Sequence, residues 1–430
     1  MPVTRDPYLP GHGDSRYAVE HYDLTLDYRM ATNRLDAKAE LRIRALVDTD
    51  TIRLDLSRLQ ADKVKVDGRR PERVVQKDRA VVVKLGTVLR AGAVAVVGLA
   101  YSGKPAPVPG PHGPAGWEEL DDGILVASQP YGSPSWFPCN DFAGDKATYR
   151  ITVTCEADYL AVATGRLVST VTRAGRTTRV YEESAPTSPY LVCLHIGRLV
   201  AQPMVDRIEL VRPRARALPA SSPFSLLPEM MATLEGWYGP YPFTQFSAVV
   251  VEDALEIPLE AQAMASFGSN HVAPVWDNER LVVHELSHQW FGNAVTARLM
   301  KDIWLHAGFA CYTEWLWSEH RGLGRTAERA KAHWDVLSKT PQPTPLGDPG
   351  PVHMFDDWVY KRGALTLHAL RLAVGDGVFF SILQTWVAQF AGGVVDTADF
   401  IALVRSRTEV DVDALFTAWL DQLELPTFPG

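Results

Sequence analysis

The chain has 430 residues, enough for two or three domains with separate cores. Hydrophobic content of 46% and charged content of 22% are those of an ordinary globular protein. The formal charge of −8 argues against nucleic acid or an anionic membrane surface as the main partner. No uncharged apolar run is long enough to span a bilayer, and the opening residues 1–6 lack an apolar signal core. The cysteines Cys139, Cys155, Cys193 and Cys311 are scattered, without paired metal-ligand spacing. They read as buried, reduced thiols, which points to a cytoplasmic setting.

Residues 1–16 are rich in Pro, Gly and charge and read as an extended lead-in. Beyond them Tyr22, Leu24, Leu26 and Tyr28 alternate with Asp23, Thr25 and Asp27, the period of a half-buried strand. Further short strands are predicted over 39–46, 51–56, 73–76, 80–85 and 94–101, separated by turn signals such as Asp67-Gly68 and Ala91-Gly92. A Pro/Gly loop at 104–116 and an acidic patch at 118–122 follow, then Ser128-Gln129-Pro130 and the run from Trp136 to Asp141. Strands resume at 148–155, 180–182 and 191–196. Short strands with no helical period among them predict an antiparallel β-sandwich over residues 1–197.

Past Gly197 the period changes, and residues 198–430 read as a second, mainly helical domain, making the chain α+β. Helices are predicted over 225–237, 278–291, 305–317, 358–374, 378–391 and 397–406, with one buried strand at 246–251. The Gly239-Pro240-Tyr241-Pro242 run stops the first of these helices. Trp290, Trp304, Trp315 and Trp317 read as core aromatics, and Lys361 and Arg362 as solvated charges.

The helix predicted over 278–291 carries His284-Glu285-Leu286-Ser287-His288. Histidines four apart on a helix lie on one face, since four residues turn through about 400°. Their imidazoles can converge on one zinc ion, while Glu285 approaches a metal-bound water rather than the metal. The plainer alternative is two histidines that happen to fall four apart in a buried helix.

With these residues assembled, the chain resembles the aminopeptidase N family of zinc metallopeptidases, which includes the leukotriene-hydrolase aminopeptidases. The resemblance covers nearly the whole chain and ends where the thermolysin-like catalytic domain ends, which implies a short form without the family's C-terminal helical domain. It implies one zinc per intact site, bound by His284, His288 and a glutamate placed after eighteen further residues, in a run of the type Trp-Leu-Asn-Glu-Gly-Phe-Ala. Here that run is Trp304-Leu305-His306-Ala307-Gly308-Phe309-Ala310, and the third-ligand position holds Ala307. A methyl group cannot bind zinc. His306 is rotated by about 100° from that position, and Cys311 and Glu314 lie one and two turns further on.

The resemblance assigns further roles. Glu260 in Ile257-Pro258-Leu259-Glu260-Ala261-Gln262 matches the glutamate that binds the substrate's free α-amine, and Gln129 the polar residue that helps it. A buried ammonium must be paired, so a carboxylate there is chemically reasonable. Tyr360 matches the tyrosine that hydrogen-bonds the oxyanion of the tetrahedral intermediate, and Glu285 the base that moves the proton. The implied reaction is removal of an N-terminal amino acid from a peptide. Ala307 implies that this chain binds zinc weakly and is impaired or inactive. The alternative is a silent relative that binds peptides or a partner without cleaving them.

Overall fold

The alternating stretch at 22–28 lies inside the strand Tyr17–Arg29, with Tyr22, Leu24, Leu26 and Tyr28 all buried. The computed structural model describes residues 6–77 and 79–429, so the first five residues of the predicted lead-in lie outside the described residues. The chain divides into two compact units. One runs to Ala217 and takes in Phe243–Ser269, and the other comprises Leu218–Pro242 and Asn270–Gly430.

In the first unit, Tyr17–Arg29 sits inside a seven-stranded sheet. Its strand order is Arg166–Arg173, Arg176–Thr187, Ala147–Glu156, Tyr17–Arg29, Arg34–Ala45, Val94–Gly103 and Gln60–Val66. One core cluster joins its inner face to side chains from a three-stranded and a four-stranded sheet, including Ile52, Val81, Ile124, Val126, Leu194 and Ile196. This is the β-sandwich that the alternation predicts, with one exception to antiparallel pairing. Tyr17–Arg29 and Ala147–Glu156 run parallel, joined by a long connection that passes through strands of the other layers.

At Gly197 the four-stranded sheet ends, and Leu199–Val205 opens a different, five-stranded sheet. That sheet belongs to the same compact unit. Leu125, Val162 and Cys193 pack with Leu199, Val211, Val249, Ala261 and Met264, so the four-stranded sheet is covered on its second face as well. Period two is lost in Phe246–Val250 and Met264–Phe267 because both are buried throughout, and only 246–251 was legible among the strands of this sheet. The outer strand Leu259–Ala261 pairs with Met264–Phe267 through a tight turn in which Ala263 takes a positive φ of 59°.

Trp136, Phe137 and Cys139 are fully buried, and Asn140 and Asp141 nearly so. Asn140 and Asp141, together with Asp55, hold the lead-in down: the Gly13 N–H donates to Asp55 at 2.8 Å, the Asp14 N–H donates to Asn140 at 2.6 Å, and His12 Nδ1 meets Asp141 at 2.6 Å. Gly13 has φ +67°, and a Cβ there would stand 2.9 Å from that of Phe142, so only glycine fits.

The second unit is built from helices α1 (Leu227–Tyr238), α2 (Trp276–Ser287), α3 (Trp304–His320), α4 (Thr326–Leu337), α5 (Gly350–His353), α6 (Asp357–Val374), α7 (Asp376–Phe390), α8 (Thr397–Arg407) and α9 (Asp413–Phe416). The four tryptophans read as core residues are fully buried or nearly so. Helix α3 is buried along almost its whole length and crosses α6 at two glycines. A Cβ built on Gly308 would lie 2.8 Å from the Gly363 Cα, and one on Gly363 equally close to the Gly308 Cα. The helices therefore touch backbone to backbone. Among the described residues, no helix is long and apolar enough to cross a membrane.

Two measurements check this packing. Gly363→Ala should lower the unfolding midpoint, at a cost of about 1–3 kcal/mol, because backbone cannot give way as a side-chain tip can. Gly377→Ala, in α7 with nothing within 4 Å of the new methyl, should be neutral or stabilising. The second check uses Asp145, a buried carboxylate that accepts hydrogen bonds from Asn140 at 2.5 Å and from the Val19 N–H at 3.1 Å. Burial pushes it up to about 7 against those bonds. A raised carboxyl pKa means that the folded chain holds the proton longer, so this group's contribution to stability falls as pH rises from about 4 to about 7. Asp145→Asn, which cannot ionise, should gain on the wild type by about 2 kcal/mol between pH 5 and pH 8. An unchanged difference across that range would show that Asp145 ionises freely.

Candidate active site

Asp277 and Glu279 stand in the first turn of α2, where carboxylates complement the helix dipole. The helix is buried from Val282 onward and its last α-helical residue is Ser287, short of the 291 predicted. The chain keeps turning through tighter bonds, from Gln289 N–H to Leu286 O and from Trp290 N–H to Ser287 O, both at 3.1 Å. His288 follows the helix with helical backbone, and its N–H still reaches the His284 carbonyl at 3.2 Å. The four-residue spacing therefore survives, and the two imidazole centroids lie 4.9 Å apart. Gly292 closes the turn at φ +120°, where a Cβ would stand 3.3 Å from both the His288 ring and the His306 ring.

Each histidine is oriented through Nδ1. His284 Nδ1 lies 2.7 Å from Glu314 Oε1, and His288 Nδ1 lies 2.9 Å from the Phe291 carbonyl. A carbonyl can only accept, so His288 carries its proton on Nδ1. Glu314 is ionised. Burial works to raise its pKa, but the Lys361 ammonium, the His284 hydrogen bond and Arg280 outweigh burial and hold it at about 2. His284 therefore also donates from Nδ1, the hydrogen-bond pattern by which metal-binding imidazoles are oriented. Glu285 is buried beside them, and the half-buried Tyr360 ring, in the first turn of α6, stacks on His284 at 6.1 Å between centroids.

Ala307 is buried in the first turn of α3. The side chains that could have substituted for a ligand there are committed elsewhere. His306 Nε2 accepts the Ala297 N–H at 2.7 Å. Cys311 Sγ lies 3.5 Å from Lys361 Nζ, and burial pushes its thiol up to about 12, far from the thiolate that zinc requires. Glu314 holds His284 from behind. His284 and His288 offer imidazoles, ligand types suited to zinc, whereas position 307 offers only a methyl group.

Lys361 and Arg362 are not the solvated charges that the sequence suggested. Arg362 is fully buried and donates to the carbonyls of Ala418, Trp419, Gln422, Leu423 and Glu424 and to Gln342 Oε1. The chain forms a π-helical turn over Thr417–Asp421 and then leaves the helix, which frees carbonyls that the guanidinium satisfies. Lys361 is half-buried between Cys311 and Asp357. The partners of Arg362, and Cys311 beside Lys361, are distant in sequence and so were not legible. Glu314 carried one faint signal: it lies seven residues after Ala307, on the face of α3 that faces inward.

The remaining two candidates lie in the other unit. Glu260 is buried at the centre of the edge strand Leu259–Ala261, and Gln129 follows the strand Gly123–Ala127. The structure brings them together: Gln129 Nε2 donates to Glu260 Oε1 at 2.7 Å.

The Peptidase M1 N-terminal domain matches residues 18–191 and the Peptidase family M1 domain matches 226–419. The M1 zinc metallopeptidase from Deinococcus radiodurans superposes with a TM-score of 0.90 at 31% identity, covering 99% of each chain. A glutamate-to-alanine mutant of that enzyme, bound to a Tyr-Ser-Ala substrate, superposes at 0.91 with 30% identity and the same coverage. The leucyl aminopeptidase of Saccharolobus solfataricus is 23% identical over 438 residues, 96% of this chain and 54% of its own length. The chain spans about half the length of the curated relatives it matches, 42% to 54% for the first three. Covered from end to end at 30% identity or better, the chain belongs to peptidase family M1, the aminopeptidase N family, in a two-domain form.

Proposed function

We propose that this chain has the scaffold of an aminopeptidase that removes N-terminal residues from peptides, and that Ala307 leaves it with weak zinc binding and impaired or absent activity. One observation carries the reading. Both imidazoles are anchored through Nδ1, and the position that the family gives to the third ligand holds a methyl group, Ala307. The peptide-bound state of the Deinococcus relative supports a peptide as the ligand class. We place the functional boundary at Gly197, where one sheet ends and the next begins, with the catalytic domain over 198–430. Four buried cysteines outside any disulfide support a reducing, cytoplasmic setting.

The chain's own residues divide the work as follows. Glu260 and Gln129 bind the α-ammonium and so count from the free N-terminus. Glu285 takes a proton from the attacking water and passes it to the leaving amine. Tyr360 donates its hydroxyl to the oxyanion. Zinc, when bound, supplies polarisation of the scissile carbonyl and acidity of the water. The engagement of His306 and Cys311 elsewhere favours one alternative, a family member that binds peptides without cleaving them.

Zinc retained after dialysis should be well below one equivalent, since two imidazoles and water make a poor tetrahedral set. Ala307→Glu should restore stoichiometric zinc and release arylamine from aminoacyl-arylamides. That release should stop on chelation and on Glu285→Gln, and N-acetylated substrates should be inert. Tight zinc binding by Ala307→Glu with no cleavage of any peptide in a broad set would replace the aminopeptidase reading with the binding one.

A further inference from the structure

Tyr190 lies in the short turn Pro189–Leu191, which is tied to the strand that carries Glu260. The Gln262 N–H donates to the Leu191 carbonyl at 3.0 Å, and the Gln262 side chain donates to the Ala185 carbonyl at 3.2 Å. The Tyr190 ring is 4% exposed, and its hydroxyl is buried with no hydrogen-bond partner among the described residues. Buried hydroxyls are almost always paired, and an unpaired one carries a desolvation cost, so an exception asks for a reason. Burial, and after it the Glu260 carboxylate, pushes the phenol well above its ordinary pKa. The hydroxyl is therefore protonated and within electrostatic reach of Glu260.

An α-ammonium has three N–H donors pointing in three directions, as a lysine ammonium does. Glu260 meets one. Gln129 gives an amide N–H to Glu260, which leaves its own Oε1 as an acceptor for a second. We propose that Tyr190 Oη is the third acceptor, so that the amine subsite is a tripod of Glu260, Gln129 and Tyr190. The proposal rests on the assignment of Glu260 and Gln129 to amine binding and adds a residue that neither spacing nor charge picks out. In this arrangement the unpaired hydroxyl is held ready for a cationic ligand, since a ring fixed by packing loses little freedom when the ligand arrives.

The test uses L-phenylalaninamide and 3-phenylpropanamide, which differ only in the α-amine, titrated calorimetrically into the full chain and its variants. Tyr190→Phe should weaken L-phenylalaninamide about tenfold, the scale of one hydrogen bond to a charged group. It should leave 3-phenylpropanamide binding and the unfolding midpoint unchanged. Equal affinity for the amine in Tyr190→Phe and wild type would overturn the tripod, and so would equal weakening of both ligands. A midpoint lowered by several degrees would also overturn it, because the hydroxyl would then have a structural partner. Glu260→Gln separates this inference from the reading beneath it. If Glu260→Gln weakens the amine and Tyr190→Phe does not, only the tripod falls. If neither does, or the wild type does not prefer the amine, amine binding at this pair falls as well.

Discussion

A fully ionised carboxylate inside a protein must be matched by positive charge and hydrogen bonds, or it takes up a proton. Glu314 is that carboxylate here, and it joins the three helices that carry His284, Ala307 and Tyr360. It projects from α3, receives the Nδ1 proton of His284 and a guanidinium bond from Arg280 on α2, and feels the ammonium of Lys361 on α6. The contact of Gly308 with Gly363 brings α3 and α6 close enough for these groups to meet. Histidine orientation, helix spacing and charge balance are thus one arrangement. Its most visible product is that His284 turns Nε2 outward.

The sequence was most legible where a local pattern decides the outcome. Alternation marked the sandwich strands, and helical period marked α2, α3, α6, α7 and α8 within a few residues. The histidine pair could be placed because its spacing is a property of one helix turn. Reading failed where partners are distant in sequence. Arg362 looks like a surface charge until the carbonyls of residues 418–424 close around it. Glu314 looked like a carboxylate two turns too far from the metal position, yet that distance suits a group that holds a ligand from behind. Met264–Phe267, buried throughout, and Leu199–Val205, largely half-buried or exposed, show no usable period, and the helix Thr326–Leu337 was not distinguished from loop.

The charges around Ala307 give a physical account of how the fold tolerates that residue. Glu285 at the buried end of α2 and Glu314 in the middle of α3 already place two buried carboxyl groups here, Glu314 against the cations of Arg280 and Lys361. A glutamate at 307 would add a third, buried carboxyl in the first turn of α3, where backbone N–H groups favour negative charge but a divalent cation supplies most of the compensation. Without the cation, such a site is strained by like charge. With it, binding energy is folding energy, because a ligand that binds only the native state stabilises that state. Alanine brings neither the charge nor the ligand atom to this coupling. His284 and Glu260 are held by contacts that need no metal, Glu314 on His284 and Gln129 on Glu260.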